Sequence, residues 1–224
     1  MLTIQRYKTS EIAVNSALYK KLLSIVAERY ATAEHTFRYG LDFSTDVYCA
    51  FLNDECCGFC MIAYKNIRID EASETASLYM GLAVRKEDNK FKTVIFHLMK
   101  KILYDAAEFR NTCPSDIPVW ATTSSPAVFS AFHSAFIHVE PALDGAYSDE
   151  GAFLADAIKK QYYKVTANAH PFVLHSQSKT LYSDREHLAV QNKTTMRGYK
   201  LFKELNIDDA AGDRILMIGR LKND

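Results

Sequence analysis

An excess of either charge is missing from this 224-residue chain: Lys and Arg together number 27, and Asp and Glu together number 27. That balance excludes an overall field strong enough to gather nucleic acid, although it leaves room for a local basic patch. Long apolar runs are also missing. None approaches the ~20 residues that cross a bilayer, and the opening MLTIQRYKTSEI has no apolar core of a secretory leader. The expectation is a soluble, cytoplasmic protein with neither nucleic acid nor membrane as partner. Metal ligands at suitable spacing are absent too. Cys57-Gly-Phe-Cys60 has no second C-x-x-C, and no histidine pair stands near it. A strand sends residues three apart to opposite faces, so the five cysteines read as buried, reduced, small hydrophobes. A G-x-S-x-G elbow, a Walker-type loop and a dinucleotide fingerprint are all lacking. No repeat, low-complexity tract or interdomain linker breaks the chain. With 48% hydrophobic and 12% aromatic residues it can bury a full core, and one mixed α/β domain over residues 1–224 is the simplest account.

The most ordered pattern runs from Val47 to Leu103. VYCAFLN and CCGFCMIAYK read as strands of a hairpin around Asp54-Glu55, and SLYMGLAV follows as a third strand. It stops at RKEDNK. Beyond this, Phe91, Val94, Ile95, Leu98, Met99, Ile102 and Leu103 recur with the spacing of one helix face. A strand passing through a basic loop into a helix leaves N–H groups and a positive dipole end suited to a phosphate. Before this region, Leu2 to Tyr7 reads as a strand, and Asn15 or Ser16 caps a helix reaching about Tyr30. ATAEHTFRYGLDFST reads as a short helix or loop. After it, Asn111 to Pro118 suits a surface connection, and Pro118 to Ala121 a short buried strand. Ser124-Ser125-Pro126 announces a helix over Ala127 to Ala135, with Phe136 to Val139 as a further strand. AFLADAIKKQYYKV reads as a helix, HPFVLHSQSKTLYSD has no clear period, and Asp184 is placed to cap a helix toward Leu205. RILMIGRL closes the chain as a strand.

This order of elements resembles the GNAT superfamily of N-acyltransferases. Three segments carry the resemblance: the hairpin FLNDECCGFCMIA with Gly58-Phe59, the strand LYMGLAV with its loop and helix, and TTSSPAVFSAFHSAFIHV with Ala127 and Phe136. They lie within residues 2–139. The resemblance implies a mixed, mostly antiparallel central sheet flanked by helices, with a core over about 1–140 and an extension and closing strand over about 141–224. It implies acetyl-CoA or another acyl-CoA as donor, its arm lying in a seam just past Val84 and pairing with Leu82, Ala83 and Val84. Its pyrophosphate would lie in a cradle formed by Asn89, Lys90, Phe91, Lys92, Thr93 and Val94. Two positions depart from the family pattern. NKFKTV contains no glycine where the family loop has several, and the family's proton-donating Tyr aligns with Ala131.

The implied reaction moves an acyl group, acetyl foremost, from coenzyme A to a primary amine on a small molecule or a protein. Glu74 and Tyr79 are candidates for the base or a water relay on the third strand, with Glu71 beside them. His133 is a candidate acid, with Ser130 and Tyr147 as others. The aromatic stretches around Phe37 to Gly40 and at Tyr162-Tyr163 are candidate surfaces for acceptor or acyl chain. Two alternatives stay open: an acyltransferase served by an acyl carrier protein, and a GNAT-like binding or regulatory module without turnover. A homodimer is compatible with the extension.

Overall fold

The structure, a computed structural model, describes residues 1–71, 73–110, 117–165, 170–175, 181–184 and 198–220. Strand β1 (Leu2–Lys8) leads through helices α1 (Ala17–Ala27) and α2 (Ala33–Phe43) into β2 (Asp46–Leu52), β3 (Glu55–Arg68) and β4 (Glu74–Arg85). Helix α3 (Val94–Arg110), β5 (Pro118–Thr123), α4 (Pro126–Ala135), β6 (Ile137–Glu140) and α5 (Asp149–Ile158) follow. β7 (Val173–Leu174), α6 (Tyr199–Glu204) and β8 (Arg214–Arg220) complete the order. The strands form one sheet in the order β1-β2-β3-β4-β5-β8-β6, with β7 also pairing β8. Every pairing is antiparallel except β4 with β5. The fold is therefore mixed α/β with a mostly antiparallel open sheet flanked by helices. The C-terminal stretch is more than an appendage, because β8 is inserted between β5 and β6.

Local chemistry explains most boundaries. Ser16 caps α1 by accepting from the Tyr19 amide at 3.1 Å. The β2–β3 connection is the two-residue Asn53-Asp54, both at positive φ, one residue earlier than the sequence suggests. Central strand β3 is buried from Cys56 to Ala63 on both faces, hence its unbroken apolar run. One core cluster, including Leu98, Ile102, Phe129 and Phe132, lies beneath α3 and α4. Two clusters fill the other side, beneath α1 and α2 and beneath α5.

Of the two readings open for ATAEHTFRYGLDFST, the structure has the helix, the 11-residue α2. Two other readings are corrected here. The helix expected over 152–165 ends at Ile158 and passes into a π-helical turn at Lys159–Tyr163. Cys57 and Cys60 do not diverge: a bulge between the Ala50 and Phe51 rungs inserts Cys57, and both thiols join the cluster under α3. They are reduced, as are Cys49 and Cys56, while Cys113 and the helix expected after Asp184 fall outside the described residues. No helix among those residues is long and apolar enough to cross a membrane.

Candidate functional site

The parallel pairing of β4 with β5 is brief. It comprises Leu78 opposite Val119 and Tyr79 opposite Trp120. Both strands continue, β4 to Arg85 and β5 to Thr123, and the two diverge without a further rung among the described residues. The sequence places this opening just past Val84; the structure opens it right after Tyr79. A bulge supplies the bend. Ile62 pairs with Met80 and Cys60 with Ala83, so Gly81 and Leu82 together oppose Met61. Gly81 is required there because a Cβ would come within 2.8 Å of the Tyr79 ring. α2 crosses over the same place at Gly40, where a Cβ would lie 2.7 Å from the Met61 sulfur.

A cavity of about 280 Å³ occupies the opening. Met80, Gly81, Leu82 and Ala83 form one wall and Ala121, Thr122 and Thr123 the other. Ile95 and Met99 of α3 and Val128, Ala131 and Phe132 of α4 border it on one side of the sheet. On the other stand Thr36, five tyrosines and the guanidinium of Arg214. The closed end is aromatic. Tyr79 and Trp120 lie with ring centroids 4.6 Å apart, and Trp120 Nε1 donates to Ser77 Oγ at 3.1 Å. Phe43 meets Tyr79 edge-on at 4.9 Å, with Lys65 Nζ 3.8 Å from the Phe43 ring centroid.

The lining chemistry is mostly neutral. Burial pushes the phenols of Tyr39, Tyr79 and Tyr163 above their ordinary value and the Cys60 thiol up to about 12. Thr122 and the charge of Arg214 pull the Tyr163 phenol the other way without outweighing its burial. Among the described lining residues there is no Asp, Glu, His or Lys. Among the described lining residues, Arg214 is the one acidic or basic side chain.

The residues singled out from the sequence are dispersed relative to this cavity. Tyr79, Leu82 and Ala83 line it. Val84 is buried in the cluster beneath α1 and α2. Glu74 lies exposed at the start of β4, 3.6 Å from Arg68 Nε and accepting from Asn66 Nδ2. His133 is outside the lining. Its Nε2 lies 3.1 Å from the Pro141 carbonyl, its ring packs on Phe129, and burial holds its pKa below the usual value. Tyr147 packs against Phe172 and His170. Nothing in the sequence singles out Tyr30, Tyr182 or Arg214 as site residues, and Tyr39 and Tyr163 stand out there only within aromatic stretches.

The loop expected to cradle a pyrophosphate is internally bonded. Asn89–Phe91 is a 3-10 turn capped by Asp88, whose Oδ1 accepts from the Lys90 amide at 3.0 Å. The Phe91 amide donates to the Asp88 carbonyl and the Lys92 amide to the Asn89 carbonyl. Lys86 pairs with Glu55 at 2.6 Å, and Lys90 lies 3.4 Å from Asp88 and 3.9 Å from Glu55. Thr93 and Val94 begin α3, with the Thr93 carbonyl accepting from the His97 amide and Val94 buried in the core. The Asp88 carboxylate caps this turn, and three of its amides already have acceptors. The opening fits an extended, amide-bearing arm, whereas the loop in this arrangement does not fit a pyrophosphate.

No family model and no curated protein matches the chain. Solved structures do. One is a conserved protein of unknown function from Enterococcus faecalis, 12% identical over 61% of this chain, TM-score 0.43; this chain spans only 33% of its length. Escherichia coli ElaA is 21% identical over 66% of this chain and 94% of its own, TM-score 0.44. An acyl-CoA N-acyltransferase from Pseudomonas aeruginosa is 16% identical over 60% and 86%, TM-score 0.42. GNAT-family structures recur among the matches.

Proposed function

We propose that this chain is an N-acyltransferase that receives an acyl group from a pantetheine thioester, with acetyl-CoA or another acyl-CoA as the first donors to consider, and passes it to a primary amine. The observation that carries this reading is the opening between β4 and β5. Backbone groups on the β4 edge at Met80–Ala83 have no ladder partner on the β5 side among the described residues, and an unpaired sheet edge is a template for a further extended chain. An extended chain with its own amides satisfies them as another strand would. Ile95, Met99 and Phe132 exclude water from one side, and Tyr79 with Trp120 stops the arm at the sheet's closed end.

The phenols of Tyr39, Tyr79 and Tyr163 stay protonated at neutral pH and are the groups able to give a proton to a departing thiolate. Ala131 supplies none. With no carboxylate or imidazole among the described lining residues, the amine must reach the thioester already neutral. The nucleotide part of coenzyme A is assigned no role, given the Asp88-capped turn.

The test is thiol release from acetyl-CoA and longer acyl-CoAs across a panel of primary amines, beside a thermal-shift titration with each donor. Donor-dependent stabilisation with amine-dependent thiol release supports the reading. The absence of stabilisation by any donor, including acetylpantetheine, contradicts it. The missing base favours one second reading, a binding module without turnover, and that reading requires donor-dependent stabilisation with no thiol released for any amine.

A further inference from the structure

We propose that the thioester reaches the opening between β4 and β5 on the phosphopantetheine arm of an acidic carrier protein, and that Lys92, Phe96 and Lys100 receive that protein. This rests on the transfer reading above and narrows its donor class. Two neighbouring rows run along the first half of α3. Ile95 and Met99 are half-buried and border the cavity. The next row round the helix, on the solvent side, holds Lys92 (just before α3), Phe96 and Lys100 at intervals of four. All three are exposed, Phe96 to 67%. Across the cavity, Val128 of α4 lines the opening and is itself 47% exposed. The rim of the opening between α3 and α4 is thus apolar at Phe96 and Val128 and cationic at Lys92 and Lys100.

Charge decides the kind of partner. The acids nearest this row answer other lysines: Glu55 holds Lys86, Asp88 lies against Lys90, and Asp105 holds Lys101. Lys92 and Lys100 pair with no carboxylate among the described residues. A small apolar centre with charges around it is the make-up of a protein–protein contact, and these two cations call for carboxylates on the facing surface. A nucleotide lacks the turn it would need. Asp88 caps Asn89–Phe91, and the amides of Lys90, Phe91 and Lys92 already donate. The arm alone enters the opening, so the rest of the donor must be held outside it, where this row stands. In the reaction the acceptor nitrogen bonds to the acyl carbon and the C–S bond breaks. The sulfur gains, net, the proton that the nitrogen loses, and the carrier departs with a free thiol on its arm.

The experiment compares three donors of one acetyl group: acetylpantetheine, acetyl-CoA and a bacterial acyl carrier protein bearing acetylphosphopantetheine. Thiol release with the amine panel is followed for the wild-type chain and K92E/K100E, at about 0.02 and 0.2 M salt. The expected result is a kcat/KM for the carrier-borne donor that exceeds that for acetyl-CoA by roughly tenfold or more. That advantage falls by a similar factor in K92E/K100E and shrinks as salt is raised. Acetylpantetheine, which has no charge for the lysines to meet, is used equally by both chains and shows that the variant is folded. Acetyl-CoA used as well as the carrier, or a carrier preference that survives the charge reversal, overturns the inference and leaves the transferase reading standing. If no donor yields thiol with any amine, the transferase reading fails. Fluorescence anisotropy with the same carrier protein lacking its arm then decides this one. Binding to the wild-type chain that is lost in K92E/K100E supports it, and no binding, or equal binding to both, overturns it.

Discussion

Tyr79 and Trp120 face each other across the last rung shared by β4 and β5, their ring centroids 4.6 Å apart and their planes inclined at 46°. Pairing stops at this contact, and the opening begins beyond it. Trp120 is fully buried and its indole N–H is held by Ser77, whose hydroxyl donates in turn to the Lys65 carbonyl at 2.8 Å. The wedge is therefore fixed from both the apolar and the polar side. Trp120→Ala should destabilise the fold by about 3–5 kcal/mol, the range for deleting a buried large aromatic. Trp120→Phe, which keeps much of the volume and loses the hydrogen bond, should cost about 1–2 kcal/mol. Urea unfolding of the two variants measures both.

The bulge at Gly81-Leu82 and the crossing of α2 at Gly40 keep the strands apart. Gly40→Val would press against the Met61 sulfur, already 2.7 Å from the position of a Cβ. Overpacking of this kind costs about 1–3 kcal/mol. The expected outcome is a lower melting temperature together with weaker donor-induced stabilisation, whereas a substitution at the exposed Lys100 should change neither.

The Asp88-capped turn leads to a sharp expectation for donor choice. The turn's amides are engaged and Lys86 and Lys90 are paired with acids, so the nucleotide portion of coenzyme A should add little. Acetylpantetheine and acetyl-CoA should show KM values within about a factor of three, less than 1 kcal/mol. Asp88→Ala removes the carboxylate and releases the Lys90 amide, and should tighten acetyl-CoA while leaving acetylpantetheine unchanged. Steady-state kinetics with both donors checks this.

The described lining residues include no Asp, Glu, His or Lys, and burial keeps Tyr39, Tyr79 and Tyr163 above 10 and Cys60 at about 12. The kcat/KM profile should then climb with unit slope on a logarithmic scale from about pH 6 to 9, following ionisation of the acceptor amine alone. An inflection that stays fixed while the acceptor is changed would reveal an enzyme base absent from this account.

Stability should have an acid limb traceable to Asp46. Burial alone would push its carboxyl up. Hydrogen bonds from Arg6 and Lys8 at 2.8 Å, and from Thr45 at 2.7 Å, overcome that and hold it below its ordinary 3.8. A carboxyl depressed in the folded state contributes stability that is complete above the unfolded value and lost as pH falls through the folded one. Melting temperature should therefore fall progressively below about pH 3.8. Asp46→Asn should flatten that limb and destabilise the chain at pH 7 by about 2 kcal/mol, since both cationic partners can still reach water.

The strands and α3 were legible because their signals are local. VYCAFLN, CCGFCMIAYK and SLYMGLAV carry β-branched and aromatic density, and Val94, Leu98 and Ile102 keep helical spacing across α3. α2 was harder to read because Gly40 looks like a break, whereas it is there to let the helix approach Met61. Much of the tyrosine-lined side of the cavity could not be read at all. Arg214 reaches the cavity because β8 returns to lie beside β5, a pairing between segments about ninety residues apart that no periodicity announces. Tyr163 reaches it through a π-helical turn, one extra residue that shifts the phase of the helix. Glu74 and His133 were chosen by their place in the chain, and the fold sends one to an ion pair with Arg68 and the other to the Pro141 carbonyl.

Hydrogen–deuterium exchange over Met80–Ala83, with and without saturating acetylpantetheine, tests the central claim most directly. A thioester arm taking up the unshared edge of β4 should slow exchange there while β1 exchanges as before. Unchanged exchange in that segment, under conditions where the donor is shown to bind, would place the donor elsewhere and contradict the account.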